Sequence, residues 1–510
     1  MKRLIAALLL AAFCLPALAE DTPADKSDDA AKDVPEAQQW TSQHELKIGG
    51  KTVRYTATAG TMLMRNDKDE PIALFGYTAY TADGADPGKR PIMFAYNGGP
   101  GSASLWLHMG VLGPQRAVAT DGGFSPAGPY RHVDNAYSII DQADLVMIDP
   151  VGTGFSRPVG DAKGADFWGV DQDIESVSDF IARYVTDNGR WASPKYVLGE
   201  SYGGMRTGGV AWRLLSHDNM ALNGVVLVSP FMEMATGFAG MGIDLPHVMY
   251  LPTFAATAWY HDALADKPAD LKAFVHEVAQ FAYNEYAPAL LLGDRLGEAQ
   301  RKAVIAKLAR YTGLSEDYWD KADLRIDERQ FTKELLRDRG ETVGRIDSRF
   351  TGDSIDLLGE DAFYDPMTTA IGPPFLAAFM DYYHKDLGVD ADRQYVVSGR
   401  LWKDWDWKHA QPDKGGYKLP FPNTLVDLSL TMTQSPSMKV LFMQGYFDLA
   451  TPLLGTEYYI DHLDVTPEIR ENVQLELFEA GHMMYIHEPS MKKFRQVLVD
   501  FVRDSDNSGN

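Results

Sequence analysis

The feature that most constrains this chain is a series of short apolar runs, each ending in a loop rich in glycine or carrying an acid. RPIMFAYNGG, ADLVMIDPVGTG, KYVLGESYGG and LNGVVLVSP follow one another between residues 90 and 230, and MKVLFMQGYFD and VQLELFEAGHM resume the pattern near residue 440. Near-continuous apolar runs suit strands buried on both faces, the condition of a parallel sheet covered by helices. Between two of them, SVSDFIARYVTDN sets Val177, Phe180, Ile181 and Val185 on one helical stripe. The alternation predicts an α/β fold with a mostly parallel central sheet. Ahead of it, HELKIGG, KTVRYTATAG and TMLMR predict short antiparallel strands with glycine turns, and ALFGYTAY a further strand. From 232 to 380 the text is helical and aromatic, which predicts a largely helical cap inserted between sheet strands. EPSMKKFRQVLVDFV predicts a closing helix.

The N-terminus reads as a targeting segment. Lys2 and Arg3 precede an apolar run over residues 4–15, then Pro16 and Ala17-Leu18-Ala19, a pattern that predicts a signal peptide cleaved after Ala19. The run has 12 residues, against the roughly 20 needed to span a bilayer. No later stretch is long and apolar enough either, so the expectation is an exported protein, periplasmic or extracellular, with no stable membrane insertion. The single cysteine, Cys14, lies in this segment behind Phe13, where lipid attachment would want a small residue. The mature chain is then expected to have no disulfide, no thiol nucleophile and no thiolate metal site. Residues 20–38 lack apolar periodicity and read as a flexible leader. The expected organisation is a signal peptide at 1–19, a leader at 20–38, a first part of the core at 39–231, the cap at 232–380 and a second part of the core at 381–510. A formal charge of −23 disfavours nucleic acid and anionic lipid as partners. The sequence specifies no oligomeric state.

Gly199-Glu200-Ser201-Tyr202-Gly203 matches G-x-S-x-G, follows the apolar YVL strand and precedes a helical pattern. A serine on such a strained strand-to-helix turn is exposed as a nucleophile, and the flanking glycines leave room for neighbouring backbone. Its hydroxyl needs a base, and the base needs an orienting acid. Asp448 follows the VLFM strand and His482 follows the LELF strand, in the order Ser, acid, His. His108, His247 and His261 are weaker bases because none follows a late strand, and Asp149 precedes the serine and reads as structural. The loop Asn97-Gly98-Gly99-Pro100-Gly101 predicts exposed N–H groups able to stabilise an oxyanion, with the N–H of Tyr202 as partner donor.

The blocks YNGGPGSAS, DPVGTGFS, GESYGG, GYFD and EAGHM, in this order between residues 96 and 483, resemble the signature blocks of the serine carboxypeptidases, peptidase family S10. The resemblance implies an α/β-hydrolase fold with an inserted cap and release of single residues from peptide C-termini, with no cofactor and no metal. It implies Ser201, Asp448 and His482 as the triad and Gly99 and Tyr202 as the oxyanion hole. It further implies that Asn97, Gly98 and Glu200 hold the carboxylate of a peptide substrate with a free C-terminus. A protonated Glu200 could donate to that carboxylate, whereas two ionised carboxylates in contact repel. Two positions depart from the family pattern. Ser102 stands where a cysteine is usual, and Val111 stands where a second glutamic acid normally shares a hydrogen bond with the counterpart of Glu200. His108 and Arg116 are candidate replacements. The leading expectation is a serine-type carboxypeptidase. An esterase, amidase or acyltransferase of the same fold is the alternative that Val111 favours, and an exported binding protein on a dead hydrolase scaffold is the non-enzyme alternative.

Overall fold

The structure, a computed structural model, describes residues 34–506. The expected signal peptide with Cys14, and residues 20–33 of the expected leader, lie outside the described residues. Among the described residues, nine strands build the central sheet: β1 (Gln39–Ile48), β2 (Lys51–Arg65), β3 (Pro71–Ala82), β4 (Ile92–Tyr96), β5 (Asp144–Asp149), β6 (Lys195–Glu200), β7 (Gly224–Val228), β8 (Lys439–Gly445) and β9 (Val473–Phe478). A two-residue strand, Arg157–Pro158, also pairs with β3. In space the nine run β1-β2-β3-β5-β4-β6-β7-β8-β9. The pairings from β5 through β9 are parallel, and β1-β2, β2-β3 and β3-β5 are antiparallel. The β1-β2 turn is Gly49-Gly50, with φ 55° and 80°, a region that glycine enters without a Cβ penalty.

One expected glycine turn is absent. KTVRYTATAG and TMLMR are a single strand, β2, that runs straight through Gly60. Gly60 pairs with Gln39 on one side and Tyr77 on the other, and a Cβ there would overlap the Gln38 carbonyl. The glycine serves close backbone approach rather than a turn.

Side chains of the parallel strands alternate between two cores, as a period of two requires. On β4, Met93 and Ala95 enter one cluster, and Ile92, Phe94 and Tyr96 enter the other. The second cluster is covered by helices α1 (Val170–Asp187) and α2 (Gly203–Ser216). Val177, Phe180, Ile181 and Val185 of α1 are fully buried there, and burying each such side chain stabilises by about 1.5–3 kcal/mol.

Between β7 and β8 the chain makes a long excursion. Helices α3 (Leu245–Tyr260), α4 (Leu271–Phe281) and α5 (Glu298–Thr312) share a hydrophobic cluster of their own. This is the helical cap. The expected boundary at 380 falls inside helix α6 (Pro366–Lys385), and no strand of the central sheet lies between Val228 and Lys439. The reason is visible in α6: its Ile371, Phe375, Phe379 and Tyr382 pack into the sheet-face cluster rather than into the cap. After it, α7 (Leu425–Gln434) buries Leu425, Leu428 and Met432 beside α2. The closing helix, α8 (Glu488–Ser505), covers the first face through Phe494, Leu498 and Phe501. Among the described residues, no helix is long and apolar enough to cross a membrane.

Candidate active site

The C-terminal ends of the parallel strands converge on one cavity of about 460 Å³. Ser201 sits between β6 and α2 with φ 64°, a left-handed conformation that is strained for a residue with a side chain. Two hydrogen bonds hold it there: its N–H donates to the Val228 carbonyl at 3.0 Å, and its carbonyl accepts the Phe231 N–H at 2.9 Å. The flanking glycine is a steric requirement, since a Cβ on Gly199 would overlap the Gly203 carbonyl and the Thr207 hydroxyl.

Asp448 follows β8 and is fully buried. Its Oδ1 accepts the N–H groups of Ala450 (2.8 Å) and Thr451 (2.9 Å). Its Oδ2 accepts the Thr451 hydroxyl (2.7 Å), the Gln444 amide (3.1 Å) and Nδ1 of His482 (2.8 Å). These donors stabilise the carboxylate. His482 follows β9, its N–H donating to the Ile346 carbonyl at 2.8 Å and its own carbonyl accepting the Ser229 hydroxyl at 2.8 Å. With Nδ1 turned to Asp448, Nε2 is the nitrogen left to serve as a base. Burial disfavours the imidazolium, but the charge and hydrogen bond of Asp448, with the charge of Glu200, outweigh it and raise the His482 pKa above its ordinary 6.5.

The glycine loop after β4 borders the same cavity. Gly99 has φ 111° and Gly101 φ 88°, and the Ser102 N–H closes the loop onto the Gly98 carbonyl at 3.1 Å. A Cβ on Gly98 would overlap the backbone nitrogen of Tyr202, so the loop packs directly against the turn that carries Ser201. Glu200 is buried, with Asn97 Nδ2 donating to its Oε1 at 2.7 Å and the Tyr485 hydroxyl donating to its Oε2 at 2.7 Å. Burial pushes its carboxyl up to about 7, against the opposing effects of the nearby His482 charge and these two hydrogen bonds. Asn97 is itself oriented by the Leu107 N–H, which donates to its Oδ1 at 3.1 Å.

The structure therefore gathers Asn97, Gly98, Gly99, Glu200, Ser201, Tyr202 and His482 around one cavity, with Asp448 behind His482. The weaker histidine candidates lie elsewhere. His108 is buried against the Tyr80 hydroxyl at 2.5 Å, and burial lowers it to about 3; His247 and His261 bond the carbonyls of Ile326 and Ser348. Neither His108 nor Arg116 lines the cavity. Asp149 accepts the N–H and hydroxyl of Ser104 (both 2.8 Å) and the Tyr395 hydroxyl (3.1 Å), tying the glycine loop to the excursion.

Sequence reading missed Thr451, Gln444 and Tyr485. Thr451 has a local signal, an aspartate followed three residues on by threonine, which is the spacing of a side-chain-capped turn. The excursion's contribution had none: Phe238, Glu328, Arg345, Ile346 and Trp407 reach the cavity from distant parts of the chain. Among the described residues, no group of three or more His, Cys, Asp or Glu is placed to hold a metal ion.

The strand order, the serine turn and the acid and histidine loops on the last two strands define a protein of the α/β-hydrolase fold with a helical cap. Residues 50–283 match the serine carboxypeptidase family. Two curated relatives from Arabidopsis thaliana, serine carboxypeptidase-like 45 and serine carboxypeptidase-like 36, are each 28% identical over 180 residues. The match takes in 34% and 32% of this chain, and spans only 36% and 33% of the relatives' own length. Among solved structures, a prohormone-processing carboxypeptidase from Saccharomyces cerevisiae superposes with a TM-score of 0.54 at 14% identity, covering 88% of this chain and 92% of that one. At that identity the likeness concerns the fold.

Proposed function

We propose that the protein is a serine-type carboxypeptidase that removes C-terminal residues from peptides through an acyl-enzyme. The observation that carries this reading is the buried Asn97–Glu200 pair beside Ser201: an amide and a carboxyl that burial favours in its protonated form, at the wall of the nucleophile's cavity. A carboxyl group in that place can donate a hydrogen bond to the terminal carboxylate of a peptide. In the proposed reaction Ser201 attacks the last peptide carbonyl and His482 takes its proton. The N–H groups of Gly99 and Tyr202 receive the developing oxyanion. The C–N bond then breaks and the protonated His482 returns its proton to the leaving amine. Water, deprotonated by His482, attacks the acyl-enzyme ester and releases the shortened peptide and Ser201. Asp448 holds the imidazole in register throughout.

The test compares a blocked dipeptide with its C-terminal amide and its ethyl ester. A preference for the free acid over the amide of more than about tenfold, the size of one good charge-assisted contact, is expected. Equal efficiency on both would make the protein an esterase or amidase. We further propose that the protein is exported after cleavage behind Ala19, on the strength of the charged start, short apolar run and A-x-A site. N-terminal mass spectrometry of the mature protein should begin at Glu20 with no lipid; a retained Met1 or a lipidated Cys14 would overturn export by this route.

A further inference from the structure

Just beyond His482 the chain makes a short helical turn, Met484–Ile486, and buries the ring of Tyr485 completely. The Tyr485 hydroxyl donates to Oε2 of Glu200 at 2.7 Å while Asn97 holds Oε1. Both carboxyl oxygens thus have a neutral donor, from two different loops. The space for this ring depends on residue 110, because a Cβ on Gly110 would overlap the Cδ2 and Cε2 atoms of Tyr485. Next to it, Val111 is buried and uses its carbonyl to accept the Asn135 side chain at 2.7 Å. The turn at 110–111 therefore provides room for an aromatic ring and no carboxyl group.

We propose that Tyr485 is the positioning residue of the carboxylate-binding site: its hydroxyl fixes the Glu200 carboxyl where a second acid would otherwise do so, and recognition of a terminal carboxylate then turns on the single proton of Glu200. The inference rests on the carboxypeptidase reading. Two carboxyl groups in contact share protons and titrate as a pair. Tyr485 cannot take part in such sharing, because burial and the neighbouring Glu200 charge push its ionisation well above the ordinary range. The groups that face Glu200 are Asn97 from the glycine loop, and His482 and Tyr485 from the loop after β9, with Asp448 acting through its charge. The Tyr485 hydrogen bond favours the carboxylate form, so removing it raises the Glu200 pKa further and frees the carboxyl to rotate.

The experiment measures kcat and KM against pH for the blocked dipeptide, its amide and its ethyl ester, with wild type, Tyr485→Phe and Gly110→Ala. In Tyr485→Phe the KM for the free acid should rise about tenfold with kcat far less affected. The alkaline limb for that substrate should move up by about half a pH unit or more, while ester turnover changes by less than about threefold. Gly110→Ala, which pushes the ring away from Glu200, should reproduce the KM change and the limb shift. If wild type prefers the free acid but Tyr485→Phe affects acid, amide and ester equally, or leaves the limb in place, the role of Tyr485 is overturned and the carboxypeptidase reading stands. If wild type does not distinguish acid from amide, both fall together. Should Gly110→Ala fail to fold, the Tyr485→Phe comparison decides alone, since it removes one oxygen and keeps the ring.

Discussion

His482 Nδ1 lies 2.8 Å from Asp448 Oδ2, although 34 positions separate the two residues in the chain. The contact exists because β8 and β9 are parallel neighbours, paired Gly445 to Phe478, so that the loops leaving both strands start side by side. Thr451 braces the pair, its hydroxyl 2.7 Å from the carboxylate and 3.1 Å from the imidazole.

Asp448→Asn should leave the fold intact and lower kcat by on the order of 10⁴-fold, because an amide at that place can favour the wrong imidazole tautomer. Steady-state kinetics of the purified variant checks this. A loss below about tenfold would mean that another acid orients His482.

Ser201→Ala should abolish turnover, and a fluorophosphonate should label wild type at Ser201 and leave the variant unlabelled. The motive is the strained φ of 64° at a cavity wall. Peptide mapping of the label reads the result; modification at a different serine would remove Ser201 from the mechanism.

The pH profile should differ between substrates. In the proposed reaction His482 would act as a base only when neutral, so activity should rise with pH through its value, which Asp448 and Glu200 hold above 6.5 despite burial. In the same proposed reaction Glu200 would bind a carboxylate only when protonated, so free-acid cleavage should decline as pH passes through about 7. The two groups interact, and the limbs belong to the pair. Ester hydrolysis should lack the alkaline limb, and so should free-acid cleavage by Glu200→Gln, which donates a hydrogen bond at every pH. Identical profiles for acid and ester in wild type would contradict the assignment.

A separate prediction concerns stability. His409 is buried between Asp171 of α1, at 2.7 Å, and Asp427 of α7, at 2.9 Å. Burial opposes its charge, yet hydrogen bonds to the two carboxylates push it up to about 9. A folded-state pKa above the unfolded one gives stability that is complete below about 6.5 and is lost as pH rises through about 9. His409→Asn removes the cation between the two acids, leaving Asp171 with Lys418 at 2.9 Å and Asp427 without His409, and should cost about 3 kcal/mol at pH 6. Thermal unfolding of both proteins should show the difference in Tm shrinking above pH 9; a difference that does not depend on pH would mean that packing alone is lost.

Much of the sheet was readable because a strand buried on both faces must be apolar along its whole length, as in IMFAY and VLFM, and because a helix against it must carry a stripe such as Val177, Phe180, Ile181 and Val185. Gly60 was misread since the same residue type serves turns and close strand approach, and only the neighbour's position tells them apart. The 380 boundary failed for a related reason: the apolar stripe of α6 shows that it packs, not whether the partner is the cap or the sheet.

At the candidate site the division is similar. Ser201, Asp448, His482 and the Asn97–Gly101 loop could be picked out because each sits where a predicted strand stops, and residue chemistry plus order along the chain names the reaction class. Which groups surround them was settled by topology. Tyr485 reaches Glu200 across 285 positions, and Arg345 and Glu328 arrive from an excursion whose path no local pattern encodes. Backbone preferences and hydrophobic periodicity act over a few residues, so a sequence displays them directly. A hydrogen bond between distant side chains depends on the packing of every element between them, and it can be seen only when those elements are in place.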